Sequence, residues 1–359
     1  MRGFVLLVAG FIAALALVGC VGGGDKGATT TTDASKPATK VNGRWMITDL
    51  GTLGEEPCEA FAINDRGQVV GYSYRRSPIA GEHPFLWQDG KMADLGGLHR
   101  GWDTQALDIN ERGQIVGHTS TLDAGGSEVR WRSLVWENGK MTTLPSGGRA
   151  NQAAAINDRG QVVGWADLRR VVGRGEDGPA FPVRRAALWQ AGTMRFLRIP
   201  RADSEATGLN EVGQVIGMMG DWERGFVWQN GRAHDLGRLG DDGWLSAIND
   251  RGQIVGRRNG RATLWEKGVP RRLGHPSASK GSSEATDVNE RGRIVGWWRR
   301  GDPWIYRAVL WEKGMPTLLP NLPGGAGGTA FGINERGQIV GSAETKGDET
   351  HAVLWTLKP

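Results

Sequence analysis

The side chains best suited to nucleophilic or metal chemistry are few: histidines at 83, 99, 118, 234, 275 and 351, and two cysteines, Cys20 and Cys58. No two histidines stand at metal-ligand spacing. His-Glu-x-x-His, Gly-x-Ser-x-Gly, P-loop and paired-cysteine signatures are all missing from the chain. The histidines therefore read as solvated loop residues or strand starts, and Cys58 as a buried, inert thiol. Oxygen ligands come from Asn64-Asp65-Arg66-Gly67, but one such turn offers one or two carboxylates where calcium takes about six to eight oxygens. A structural turn is the better reading, its Arg66 pairing with neighbouring turn carboxylates. A hydrolase would need two converging carboxyls. Glu55, Glu56, Asp103, Asp203, Glu205, Asp241, Asp242 and Glu284 precede or open strands, and no pair repeats a recognised spacing. No metal and no cofactor are expected.

Aromatic and cationic residues make the stronger candidate. Trp102, Trp222, Trp244, Trp298 and Trp304 fall between strand-like segments, and Trp298 and Trp304 flank Arg299 and Arg300. Tryptophan faces stack on sugar rings, and arginine forks grip carboxylate or phosphate. The segment from Trp298 to Trp304 reads as one loop, a ligand-binding one. The competing reading makes these tryptophans lids on the core and the arginines solvated.

What must position them is a repeat. The phrase Ile63-Asn64-Asp65-Arg66-Gly67-Gln68-Val69-Val70-Gly71 returns at Ile109, Ile156, Leu209, Ile248, Val288 and Ile333, at spacings of 46, 47, 53, 39, 40 and 45 residues. Each unit carries four short apolar segments, A to D, the pattern of a propeller blade. The Asn-x-x-Gly tetrad suits a tight A–B hairpin, and Asp89-Gly90, Asn138-Gly139 and Asn230-Gly231 suit two-residue C–D hairpins. Strand A is small and Gly/Ala-rich, as crowding at a central axis requires, and strand C carries a recurrent Leu-Trp or Val-Trp core covered on both faces. Trp45–Gly51 resembles a strand D, while the last unit ends soon after Val353-Leu354-Trp355 without one. The expected fold is all-β: a propeller of seven four-stranded blades, closed by the N-terminal strand completing the C-terminal blade. Short A–B and C–D turns then share one face, and long, variable B–C and D–A loops share the other, where binding belongs.

Two resemblances add an address. Met1-Arg2, the apolar stretch Gly3–Val18 and Leu17-Val18-Gly19-Cys20 resemble a bacterial lipoprotein signal, which implies cleavage before Cys20 and lipid on its thiol. Residues 1–19 would be the signal, 20–41 the lipidated cysteine with a flexible tether, and 42–359 the propeller. By the same resemblance, Val21 rather than Asp after the cysteine implies the outer membrane or cell surface over the inner membrane in a source with two membranes. Cys58 would then lack a disulfide partner. His83-Pro84-Phe85-Leu86-Trp87-Gln88-Asp89-Gly90-Lys91-Met92-Ala93-Asp94-Leu95-Gly96 resembles the extracellular repeat family named for its His-Ala-Phe motif, and His351-Ala352-Val353-Leu354-Trp355 matches it in part. That resemblance implies a secreted or surface protein and transfers no catalytic residue.

Net charge is +5 with a pI near 9.4. Outside the cytoplasm that charge argues for an anionic glycan, headgroup or acidic protein over nucleic acid. The function expected is a monomeric, lipid-anchored binding module for a polysaccharide or envelope protein. A propeller-fold glycan lyase or hydrolase is the enzymatic alternative, and an envelope-assembly scaffold the third.

Overall fold

The computed structural model describes residues 39–41, 44–76, 80–98, 103–122, 129–171, 182–201, 203–220, 222–276, 281–300 and 305–358. The strands make seven antiparallel sheets. Six are hydrogen-bonded in chain order A-B-C-D, and in the seventh Trp45–Gly51 takes the D place beside Thr350–Leu357. The A strands neighbour one another all the way round, so the sheets form a ring of blades with strand A innermost. The expected closure is present. Thr39–Val41 adds a short fifth strand on the outer edge of blade 7, so pairing begins before position 42, inside the segment expected as tether.

Apolar clusters lie between blades rather than within them. One joins Val163 and Leu188 of blade 3 to Val215, Phe226 and Trp228 of blade 4. Strand C tryptophans supply most of the bulk: Trp136, Trp189, Trp228, Trp265, Trp311 and Trp355 are buried, and Trp87 is half-buried at a cluster's edge. Each indole removes roughly 150–250 Å² from water, about 4–6 kcal/mol of transfer free energy. Several also lock onto the preceding blade, as Trp189 Nε1 donates to the Pro145 carbonyl at 2.7 Å and Trp355 Nε1 to that of Pro320 at 2.8 Å.

The repeated tetrad does more than turn the chain. In each A–B hairpin the glycine N–H closes the turn onto the asparagine carbonyl, 3.0 Å for Gly67 to Asn64, and Gly67 sits at φ 80°. The asparagine side chain then reaches the next blade. Asn64 Nδ2 donates to the carbonyl of Asn110, Asn110 to Asn157, Asn157 to Asn210, Asn210 to Asn249, Asn249 to Asn289, Asn289 to Asn334 and Asn334 back to Asn64, at 2.9–3.2 Å. Outside this circle runs a second. The backbone N–H of each acidic residue donates to the next blade's carboxylate, from Asp65 to Glu111 at 2.6 Å round to Glu335 and Asp65 at 2.8 Å. The second tetrad residue is therefore acidic because its neighbour's amide needs an acceptor. The arginines join less regularly: Arg251 lies 3.8 Å from Glu290, and Arg159 donates to the Glu211 carbonyl.

The phrase's last glycine has a different reason. Every A strand carries a bulge, as between Ala153 and Ala155, and a Cβ on Gly164 would collide with the Gln152 carbonyl beside it. Six C–D turns have positive φ at both central residues, including Ala191, Lys267 and Lys313, where only the glycine was legible as a turn signal. The B–C connections vary as expected but are not all long: blade 5 turns through Asn259-Gly260 alone.

Candidate functional site

Strand A starts, strand B ends and strand C starts lie at one end of each sheet, so the residues there form the floor beneath the long-loop face. Two columns dominate it. One is the residue five before the repeated asparagine: Glu59, Gln105, Gln152, Glu205, Trp244, Glu284 and Thr329. The other follows the phrase's last glycine: Tyr72, His118, Trp165, Met218, Arg257, Trp297 and Ser342. The two columns pair across the A–B ladder in every blade, as Glu59 with Tyr72 and Gln105 with His118. Sequence reasoning singled out Trp244, Glu205 and Glu284 but missed the two columns they belong to. The signal was available, since these are the variable columns in an otherwise uniform hairpin.

Most of the first column reaches back to the preceding blade, and the joints there are not uniform. Ser342 Oγ donates to Glu59 Oε1 at 3.4 Å, and Tyr72 also hydrogen-bonds that carboxyl. Gln105 Nε2 donates to Glu82 Oε2 at 2.7 Å. Gln152 bridges His118 Nδ1, at 3.1 Å from its Nε2, and Trp165 Nε1, at 2.9 Å from its Oε1. The Arg184 guanidinium lies 4.2 Å from the centre of the Trp165 ring and faces the buried Glu205. Arg257, 5 % exposed, holds Asp242 at 2.5 Å, lies against Trp297 and faces Glu284. Arg299 meets the Tyr306 hydroxyl at 3.0 Å.

Burial sets the titration of this belt. It pushes Glu59 up to about 8, helped by the charge of Glu82, and Glu82 up to about 7, helped by Asp103. Glu205 and Glu284 also rise to about 7, burial outweighing the arginine that faces each. His118 is driven down to about 3 by burial, so it is neutral and inside, not the solvated residue expected. At neutral pH Glu59 is mostly protonated and can donate a hydrogen bond, while Glu82, Glu205 and Glu284 titrate there.

The recurrent histidines have a separate, structural task. His83 Nδ1 meets Asp94 at 3.0 Å, His351 Nδ1 meets both oxygens of Asp49 at 3.0 Å, and in blade 4 Arg224 meets Asp235 at 2.7 Å. Each aspartate also accepts the N–H of the glycine two residues on. A strand C histidine or arginine thus pins the end of strand D. Among the described residues one group brings three metal-type donors together, Glu56, Glu349 and His351, within 4.8 Å of one another. Burial first and then the charge of Glu349 push Glu56 up to about 7, and a side-chain hydrogen bond joins the two.

The expected binding loop is only partly where it was placed. Trp298 lies inside strand B of blade 6, Ile294–Arg300, and is 7 % exposed, packed on Leu264, Val309 and Trp311. It is core because its strand runs on past the repeated phrase, to Arg300. Arg299 and Arg300 continue the same strand. Trp222 and Trp244 are half-buried on a blade 4–5 cluster with Leu239 and Leu245. Trp102 and Trp304, the side chain of Arg300, and Cys20 lie outside the described residues.

No family model matches the sequence, and no curated protein matches it either. Solved structures do resemble the fold. Virginiamycin B lyase from Staphylococcus aureus superposes with a TM-score of 0.55 at 10% identity, over 88% of this chain and 100% of that one. YCF48 bound to D1 peptide gives 0.50 at 12% identity, over 92% and 100%. What is shared is the propeller. The β-propeller domain of the Trilobed protease from Pyrococcus furiosus, with 0.50 at 11% identity over 82% and 97%, is described as having an open velcro topology. This chain instead closes its last blade with an N-terminal strand. At such identities the likeness carries fold alone.

Proposed function

We propose that this propeller is a non-catalytic binding module, held at the bacterial cell envelope by lipid on Cys20, that takes a polysaccharide on its long-loop face. The observation that carries the binding face is a contrast between the two ends of the ring. At the short-turn end all seven joints use the same two hydrogen bonds. At the long-loop end the joints vary: a serine on a glutamate at 7/1, a glutamine on a glutamate at 1/2, a glutamine on a histidine at 2/3, and a buried glutamate facing an arginine at 3/4 and 5/6. A ring that needed only to close would use one joint seven times, as the first end does, and individually placed groups suit a ligand with its own shape. Half-buried aromatic faces at Trp131, Trp222, Trp244 and Tyr306 offer stacking, with arginines beside some of them.

The lipid anchor and extracytoplasmic address rest on the resemblance of Leu17–Cys20 to a lipoprotein signal, and on the His-Ala-Phe repeat. An envelope protein in place of the glycan is an outcome of the same experiment. A lyase or hydrolase is favoured by one feature, Glu59 and Glu82, two raised carboxyls close enough to influence each other.

A glycan array with a turnover assay on every hit tests the reading. Trp244→Ala with Tyr306→Ala should weaken binding at low and high salt alike, and Arg299→Gln mainly at low salt, where screening is weak. Affinity that ignores these changes but responds to Asp89→Ala in a short C–D turn would overturn the face assignment. Product formation abolished by Glu59→Gln would replace binding with catalysis. Acyl labelling that persists in Cys20→Ser would remove the anchor.

A further inference from the structure

The repeat is its own control for charge. Between blades 5 and 6, at the short-turn end, lies a pocket of about 340 Å³ lined by Arg251, Arg271, Arg291, Arg293 and Lys313 together with Glu266 and Glu312. Five equivalent places can be compared at each joint, four at joint 6/7 because blade 7 has no C–D hairpin: the two tetrad arginine places, the third residue of strand D, the residue after the second tetrad, and the first residue of the C–D turn. Joint 5/6 has cations in all five. Each of the other six joints has two; joint 1/2, for example, reads Arg66, Ala93, Arg112, Gln114 and Asn138. Arg293 stands where the other six copies carry glutamine. The excess is local and built on a framework otherwise repeated without it.

The charges are also arranged for a guest. Arg293 Nε holds Glu312 at 3.0 Å, and Arg251 lies 3.8 Å from Glu290, which neutralises two nearby carboxylates. Arg271 reaches across the joint to lie against Gly314 of the next blade. Among the described residues Arg271, Arg291 and Lys313 make no ion pair. Five lining cations less two lining carboxylates leaves a surplus of three, or two once Glu290 is included. A phosphomonoester carries about −1.5 to −2 at pH 7 and presents several strong acceptors, so it matches this surplus better than a single carboxylate does. The volume is at the small end of the range for ligand pockets, roughly 300–1,000 Å³, and suits one sugar-sized body.

We propose that the blade 5–6 pocket on the short-turn face is a binding site for a phosphomonoester on a sugar-sized molecule. It stands on the face opposite the polysaccharide site and does not depend on that reading.

Calorimetry on the purified protein at low salt, with glucose 6-phosphate, inorganic phosphate and glucose as probes, tests it. The triple variant Arg271→Thr, Arg293→Gln, Lys313→Asn writes in residues that other blades carry at the same places, so folding is preserved, and thermal unfolding checks that. Glucose 6-phosphate should bind with one site per chain, glucose not at all, and the triple variant should bind at least tenfold more weakly. Arg112→Gln, at a two-cation joint, should leave binding unchanged. Absence of binding, an unaffected triple variant, or an equal loss in Arg112→Gln would overturn the site. Equal affinity for inorganic phosphate would overturn the sugar-sized fit. Vesicles of phosphatidylcholine with and without phosphatidic acid separate a lipid-borne phosphate from a free one: selective binding to the former, competed by glucose 6-phosphate, would place the same group on a lipid.

Discussion

Replacing Asn110 by alanine should cost about 2–4 kcal/mol of stability, although it removes only a small polar side chain from a surface hairpin. Asn110 is 4 % exposed and makes four hydrogen bonds through its side chain. Its Oδ1 accepts the N–H groups of Arg112 and Gln114, at 3.1 and 2.9 Å, and its Nδ2 donates to Gln114 Oε1 and to the Asn157 carbonyl, at 2.8 and 3.0 Å. A net contribution of about 0.5–1.5 kcal/mol for each bond gives roughly 2–6 kcal/mol. The low half of that range is expected, because the Asn157 carbonyl keeps the N–H of Gly160. Two kcal/mol is a change of about thirtyfold in the unfolding constant.

Equilibrium urea unfolding followed by tryptophan fluorescence reads it. Asn110→Asp separates hydrogen bonding from shape, since it keeps the volume but puts an acceptor oxygen in place of the Nδ2 donor, facing Gln114 Oε1 and the Asn157 carbonyl. It should cost at least as much as alanine. Asp89→Ala is the control, expected within about 0.5 kcal/mol of wild type, because Ala191 already occupies the equivalent turn position at φ 48°. A neutral Asn110→Asp, or an Asn110→Ala no worse than Asp89→Ala, would refute the view that the tetrads hold the blades together.

Two further outcomes follow from the belt and the closure. Glu59 has a folded pKa near 8, raised by burial from 4.5. The folded state therefore binds the extra proton between those values, and this group's stabilisation is complete below about pH 4.5 and lost as pH rises towards 8. Glu59→Gln should match wild type in melting temperature near pH 5 and exceed it increasingly up to pH 8; a gap that shrinks with pH would reverse the assignment. Deleting residues 42–51 removes the strand that pairs with Thr350–Leu357 from Trp45 to Gly51 and should lower the melting temperature far more than deleting 21–38. Equal losses from the two truncations would sink the closure.

The architecture was legible because it is written seven times. Asn, an acidic residue and Gly recur at fixed places, and Asp-Gly or Asn-Gly marks the hairpins, so turn chemistry and strand count could be read locally. The circle of side chains between turns could not, since Asn64 and Asn334 meet only after the ring closes. The candidate site was harder still. Trp298 looked like loop because a strand that continues past the repeated phrase has no signal at its end, and tertiary packing decided its burial. The belt was hidden for the opposite reason: Glu59, Gln152 and Arg257 become partners only through blades adjacent in space.

The circle of asparagines also means that the protein has no privileged first repeat. The joint from Asn334 to Asn64 spans 270 positions of sequence and measures 3.0 Å, like joints between turns 46 or 47 positions apart. Each link runs in the same rotational sense, so the circuit cannot register where the polypeptide was cut. Trp45 lies opposite Leu357 at the one place where blade 7 lacks the hairpin that its six counterparts have. An Asn-Gly pair inserted there would supply the missing turn, and a gene reopened in any long loop would encode the same molecule under a different numbering.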